Sequence, residues 1–458
     1  MRIIICGAGQ VGFNLARYLS EHGNEVTVID SSPELIAHIN DRLDIRAILG
    51  NASYPQVLAD AGAENADLLI AVTKNDEVNM VACEIAQALY QIPKKISRVR
   101  AQAYLQPQWR HIFSQNNLSI DVVISPEVEV AQAISRSLTV PGAVDMMSLA
   151  GDHVKVIAVR CTQDTPLINT PISHIGTLFP ELHMSIVGIV RGDENIIPTS
   201  SDLILAGDEV YFLAENAMLV QAMEAFGYTD HESRRLLIIG GGNIGLCLAQ
   251  EIEKNHPEIQ AVVVEKNPAR ASMVAQELRK TLVLCGDALD REVLFEASVG
   301  LTETVVALTD DDRVNTLVAL LSKRLGAKRA VSLINSGSYV SLVTSLGVDA
   351  VISPRSVTVS QILHHVRMGR IRSVYSLGDQ FGEIIEAETS EASGLVGAEV
   401  EEVEIPHTLL VAAIVRGEEV IIPTPKETLR LGDRVIFMAA LKAIPKIEKM
   451  FSANVDYY

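Results

Sequence analysis

Short apolar runs punctuate this chain at residues 3–6, 26–30, 45–49, 68–72, 96–100 and 122–124. Between them, apolar positions return with the spacing of a helix face. Along Asp76–Tyr90 that face carries Val78, Val81, Ala82, Ile85, Ala86 and Leu89. Continuous apolar runs alternating with helical periods predict buried parallel strands with helices packed on the sheet. A last helix is expected over residues 127–138, stopped by Pro141-Gly142. From there the pattern changes to short strands and turns. Residues 185–190, the turn Arg191-Gly192-Asp193-Glu194 and Ile196-Ile197 read as a hairpin.

The whole succession then repeats. Ala71 to Asn79 returns as Ala307 to Asn315, Ile124-Ser125-Pro126 as Ile352-Ser353-Pro354, and Ile189 to Thr199 as Ile414 to Thr424 with nine of eleven residues identical. Gly207-Asp208-Glu209-Val210 likewise matches Gly432-Asp433-Arg434-Val435. A unit of roughly 230 residues is too long for a solenoid repeat. The chain is read as α/β, with two tandem modules, each a Rossmann-like parallel-sheet domain followed by a small β-rich α+β domain. The expected domains are 1–140, 141–230, 231–371 and 372–458, and the polar stretch Asp230-His231-Glu232-Ser233-Arg234-Arg235 is the natural junction.

Chemistry enters at the ends of the first strand of each module. Gly7-Ala8-Gly9-Gln10-Val11-Gly12 and Gly240-Gly241-Gly242-Asn243-Ile244-Gly245 each follow an apolar run and precede a helical period. An acid closes the next strand in both cases, Asp30 and Glu265. In this order the first glycine permits a tight turn, the second lets a pyrophosphate approach the backbone, and the third packs helix on strand. The helix N-terminus adds free N–H groups and a positive dipole end. The acid accepts hydrogen bonds from ribose hydroxyls and repels a 2′-phosphate, so NAD is favoured over NADP at the first site.

Bulk properties narrow the class. With 48% hydrophobic and 21% charged residues, the 458-residue chain is globular and large enough for several cores. No apolar run reaches ~18 residues, so neither a membrane span nor a secretory signal is expected. The five cysteines, Cys6, Cys83, Cys161, Cys247 and Cys285, are scattered without a CxxC pair and read as buried free thiols of a reducing compartment. A net charge of −19 without a basic block opposes binding to nucleic acid or anionic lipid.

An NAD-dependent oxidoreductase would need an acid–base residue aimed at the nicotinamide, and the β-rich halves offer poor candidates. Asp208 and Asp433 sit at turn starts; Tyr90 and Lys94 mimic a YxxxK pair, but Pro93 breaks the helix that pair requires. His364 and His365 are adjacent and so face different directions, which disfavours a shared metal. The chain is therefore read as a non-enzyme, with no catalytic and no metal-binding residue assigned. The nucleotide is expected to be sensed rather than consumed.

The glycine loop, Asp30, the Val-Thr-x-x-Asp-Glu-x-Asn run at 72–79 and Arg98-Val99-Arg100 resemble an RCK (KTN) nucleotide-binding domain. The β-rich halves resemble the RCK C-terminal domain, with its Ile-Val-Arg-Gly hairpin and Gly-Asp-x-Val strand. Two such pairs in one chain are similar to the TrkA family of bacterial Trk potassium uptake systems. The resemblance implies a regulatory ring, a homotetramer, peripheral on the cytoplasmic face of the inner membrane. It implies docking on an integral potassium-transporting subunit of the TrkH/TrkG kind and a response to NAD(H), with ATP or ADP as alternative ligands. A regulator of another ion transporter is the competing class.

Residue by residue, the resemblance assigns Gly7, Ala8, Gly9, Gln10, Val11, Gly12 and Asp30 to the first site, with Asn51, Thr73, Lys74, Arg98 and Arg100 around them. Arg98 and Arg100, two apart on one expected strand, would share a face near the phosphates. Gly50-Asn51 departs from the family's Gly-Asp. The second site takes Gly240, Gly241, Gly242, Asn243, Ile244, Gly245, Glu265, Asp287, Thr309 and Asp310. There Ser332 and Ile334 are read as the counterparts of Arg98 and Arg100, so weaker phosphate binding is expected.

Overall fold

A computed structural model of the chain describes residues 1–114, 117–140, 142–179, 182–192, 194–228, 234–366, 371–377 and 381–451. Asp230–Ser233 of the expected junction, Pro141 and Asp193 lie outside the described residues. The first sheet holds β1 (Arg2–Cys6), β2 (Glu25–Asp30), β3 (Arg46–Leu49), β4 (Leu68–Ala71), β5 (Lys94–Arg98) and β6 (Val122–Ile124), all parallel, in the order β3-β2-β1-β4-β5-β6. Both faces of this sheet are covered by helices, which is why its strands are continuously apolar. An antiparallel sheet follows, built from β7 (Ala143–Leu149), β8 (Val154–Arg160), β9 (Met184–Arg191), β10 (Glu194–Ile196) and β11 (Glu209–Glu215) in the order β10-β9-β11-β8-β7.

The second module repeats both sheets. Strands β12 (Arg235–Ile239), β13 (Gln260–Glu265), β14 (Leu282–Cys285), β15 (Thr304–Ala307), β16 (Arg329–Leu333) and β17 (Ala350–Ile352) form a parallel sheet ordered β14-β13-β12-β15-β16-β17. Strands β18 (Ile371–Leu377), β19 (Gly382–Glu388), β20 (Leu409–Arg416), β21 (Glu419–Ile421) and β22 (Arg434–Ala440) form an antiparallel one ordered β18-β19-β22-β20-β21. The repeated hairpin motif now has a physical reason. Arg191 grips Asp208 through Nε and Nη2 at 2.9 and 2.8 Å, and Arg416 grips Asp433 at 2.9 and 2.9 Å. These bidentate pairs tie hairpin to turn, and both carboxylates are buried.

The modules are not separate bodies. The helix Pro126–Leu138, the last of the first parallel domain, buries Val130, Ala131, Ile134 and Leu138 against Leu236, Ile238, Leu248 and Ala249 of the second. In exchange, the helix Pro354–Val366 buries Ile362, Leu363 and Val366 against Ile3, Ile5, Leu15 and Ala16 of the first. A cation receives each visiting helix at its C-terminal end: Arg329 donates to the carbonyl of Ser137 at 2.9 Å and to that of Ala143, and Lys94 donates to the carbonyl of His365. The two antiparallel sheets also share a core, where Val156, Tyr211 and Leu213 meet Phe381, Ile384 and Met438.

Several details depart from the sequence reading. On the helix Asp76–Tyr90 the buried face holds Asn79, Met80, Ala82, Cys83 and Ala86, while Val81 and Leu89 are 42% and 60% exposed. Asn79 is turned inward, where it binds the loop after β4 and the carbonyl of Arg98, while Val78, Ala82, Ile85 and Ala86 of the expected face still pack in the core. Among the cysteines, Cys6, Cys83 and Cys161 are buried, but Cys247 is only half-buried and Cys285 is exposed. Burial pushes the Cys6 and Cys161 thiols up to about 12.

Candidate functional site

The two glycine loops are built alike. Gly7 and Gly240 have φ of +114° and +101°, and a Cβ on Gly7 would lie 2.9 Å from the backbone nitrogen of Thr73. A Cβ on Gly12 or Gly245 would sit 1.8 or 1.9 Å from the carbonyl oxygen of Gly7 or Gly240, so only glycine lets the helix start so close to the strand. Gly9 and Gly242 are different. Nothing lies within 4 Å of a Cβ built on either, and each caps its helix in extended conformation without a side-chain hydrogen bond. The helices Gln10–Glu21 and Asn243–Asn255 therefore start beside open space, with no side-chain cap on their first turns. Gln10, Val11, Asn243 and Ile244 form those first turns, with Gln10 and Asn243 exposed.

The strand-end acids hold the loops in shape. Asp30 accepts from the N–H of Ala8 at 2.6 Å and of Ser32 at 2.8 Å. Glu265 accepts from Gly241 and Asn267, both at 2.7 Å. A carboxylate has about four lone-pair sites, so each acid keeps acceptor capacity for hydroxyl donors. At the third strand, Asn51 accepts from the N–H and hydroxyl of Ser53, closing the turn that Asp287 closes onto Leu289. Asp287 also pairs with Lys266 at 2.8 Å, which holds its carboxyl below the usual range.

The loops after β4 and β15 are pinned by residues the sequence reading did not assign. Asn79 is fully buried and accepts from the N–H and hydroxyl of Thr73 at 2.9 and 2.7 Å, while its amide donates to the carbonyls of Thr73 and Arg98. Asn315 does the same for Thr309 and for the carbonyl of Leu333. Their signal was present as the last residue of the repeated Val-Thr run. Lys74 and Asp310 follow the two threonines as exposed residues.

The arginines do not share a face. Arg98 ends β5 and turns its Nη2 inward onto the carbonyl of Thr73 at 2.6 Å; burial, with the charge of Arg100, lowers its pKa. Arg100 lies beyond the strand, its N–H on Asp76, and its Nε pairs with Glu127 at 2.9 Å. Matching strand pairs, Arg98 with Ile124 and Leu333 with Ile352, make Leu333 and Asn335 the true counterparts, one residue beyond Ser332 and Ile334. A one-residue slip in a strand exchanges its faces.

This places Arg100 unexpectedly. Arg100 and Glu127, from the first module, line a cleft of about 740 Å³ whose other walls belong to the second. Gly240, Gly242, Asn243, Ile244, Glu265, Asp287, Thr309 and Asp310 all line it, while Gly241 and Gly245 stand behind. The volume falls within the ~300–1,000 Å³ typical of small-molecule sites. Glu127 is nearly buried, and its Oε2 bonds to no protein group. The first module thus brings an Arg100–Glu127 ion pair into the second cleft.

Sequence comparison adds a family context. Residues 3–126 and 236–354 each match the TrkA-N domain, and residues 156–227 and 384–452 the TrkA-C domain. The chain is 44% identical over 458 residues, covering both chains fully, to the Trk system potassium uptake protein TrkA of Azorhizobium caulinodans. The protein of that name from Halomonas elongata is 38% identical over 462 residues, again covering both fully. Among solved structures, the GsuK RCK domain shares the fold with a TM-score of 0.60 at 18% identity, over 98% of this chain and 94% of that one. The GsuK channel bound to NAD superposes with a TM-score of 0.60 at 17% identity, over 98% and 78%.

Proposed function

Because the chain belongs to the TrkA family of Trk-system potassium uptake proteins, we propose that it is the regulatory subunit of such a system. In this reading NAD(H), or ATP or ADP, occupies the glycine-loop clefts and gates an integral potassium-transporting subunit at the cytoplasmic face of the membrane. The modules are taken as 1–230 and 231–458, assembled as a homotetramer. No helix among the described residues is long and apolar enough to cross a membrane, so the pathway for the ion is assigned to the partner.

One observation carries the nucleotide reading: the uncapped helix starts at Gly9 and Gly242 open onto space beside a ribose-height acid, twice in one chain. Gly7, Gly9 and Gly12 would present the phosphate-binding N–H groups, with Asp30 on the ribose; Gly240, Gly242, Gly245 and Glu265 repeat this. The bound nucleotide supplies differential binding energy between two conformations of the ring, and a tenfold preference amounts to about 1.4 kcal/mol per site. Gly9→Asp is the informative variant, because its side chain enters open space and leaves the fold intact while placing a negative charge where phosphate belongs. Calorimetry should show NADH binding without turnover, weakened by Gly9→Asp. A strain lacking this chain and other uptake routes should fail at low potassium and be rescued by the intact chain but not by Gly9→Asp. Normal growth of the deletion strain would refute the assignment.

A further inference from the structure

The two ribose corners carry different charge, and this has a consequence for ligand choice. In the first module the corner consists of Asp30 followed by Ser31, with Asn51 across from it and Leu35 on the helix Pro33–Arg42. Asp30 is the one ionised group of that set. In the second module every equivalent position but the acid changes character: Glu265 is followed by Lys266, Asp287 replaces the asparagine, and Arg270 replaces the leucine on the helix Pro268–Glu277. The formal charge of the four positions rises from −1 to zero, with two cations present instead of none.

One cation lines the cleft and the other braces the glycine loop beside it. Lys266 lines the cleft and is 77% exposed, held only by its surface pair with Asp287 at 2.8 Å. Such an exposed pair is worth little and is readily exchanged for a better anion. Arg270 leans over the glycine loop, with Nε on the carbonyl of Gly241 at 2.6 Å and Nη2 3.3 Å from the Oδ1 of Asn243. Gly241 is thereby gripped from both sides, since its N–H is held by Glu265. An arginine beside the adenosine ribose is the means by which this fold accommodates a 2′-phosphate.

We propose that the second cleft accepts dinucleotides bearing a 2′-phosphate on the adenosine ribose, through Lys266 and Arg270, whereas the first cleft excludes them. This rests on the reading of the two clefts as nucleotide sites. Glu265 and Asp30 are engaged alike, each by two backbone N–H groups, so the difference between the two corners rests on the added cations Lys266 and Arg270.

The test is titration of the full-length protein with NADH and NADPH. NADH should fill two sites per chain and NADPH one. In Gly9→Asp, which disables the first cleft, NADPH should bind within threefold of NADH. Adding Lys266→Ala and Arg270→Ala should weaken NADPH at least tenfold and NADH less than threefold; circular dichroism would confirm that these surface changes leave the fold intact. NADH binding with no NADPH binding, or an equal loss of both in the double variant, would overturn the proposal while leaving the nucleotide reading standing. Failure of NADH itself to bind would remove both.

Discussion

Arg329 is the sharpest place to test the exchange of helices between modules. It stands at the first position of β16 in the second module, yet its guanidinium holds the carbonyls of Ser137 and Ala143 in the first. Those carbonyls close the helix Pro126–Leu138 and open β7, so one side chain fixes the point where the chain leaves one domain for the next. Arg329→Ala removes two charge-assisted bonds, each worth about 1.5–3 kcal/mol. The low end applies because water can partly replace the donor, giving about 3 kcal/mol in all. For an element of this size ~2–4 °C is lost per kcal/mol, so the first thermal transition should fall by roughly 6–12 °C. Arg329→Lys, which keeps the charge but not the fork, should recover about half. Calorimetry reads the shift, and amide exchange should rise locally over residues 135–146. A Tm within ~2 °C of the unaltered chain and unchanged exchange there would show that apolar burial alone holds the helix, and the argument from the cation would be wrong.

Three further expectations follow from the same geometry. Arg100→Ala should weaken nucleotide binding at the second cleft, read in a Gly9→Asp background, by about 10–150-fold for one lost charge-assisted bond of roughly 1.5–3 kcal/mol; no change would place Arg100 out of ligand reach. Gly12→Ala and Gly245→Ala should each destabilise their module, because the methyl meets a carbonyl oxygen at 1.8 or 1.9 Å, whereas Gly9→Ala and Gly242→Ala should unfold as the unaltered chain does and lose only affinity; equal thermal losses across the four would contradict this. His365 is held down to about 4 by burial and by the charges of His364 and Lys94. Its folded form resists a proton that the unfolded chain takes near 6.5, so its contribution is present above that pH and lost as pH falls toward about 4. His365→Gln should flatten the stability profile in that window, and an unaltered slope would assign the acid sensitivity elsewhere.

Much of this architecture was legible because burial leaves a mark on composition. Strands covered on both faces read as unbroken apolar runs, and the first and last glycines of both loops, Gly7, Gly12, Gly240 and Gly245, are demanded by close backbone contacts. What was not legible is which sheet a helix covers. The apolar stripe of Val130, Ile134 and Leu138 specifies a buried face but not its partner, and only the folded chain sends it to the second module. The misplacement of Arg100 has the same origin. A period of two on a strand assumed the strand continues, and β5 stops at Arg98. The offset between Ser332 and Leu333 was invisible for a related reason, since neutral residues on both faces give no clue to register.

The helix exchange also has a consequence in time. A ribosome delivers Ile3, Ile5 and Leu15 early, but the helix that covers them, Pro354–Val366, emerges only after almost the whole second parallel domain has been made. At ~5–20 residues per second, the roughly 230 residues between the two exchanged helices take about 10–50 s to synthesise. Throughout that interval the first domain carries an uncovered apolar face, and its own last helix waits for a sheet that does not yet exist. The duplication that gives this chain two matched glycine loops thus also obliges the nascent first half to survive half-built, with its missing wall still unread in the message.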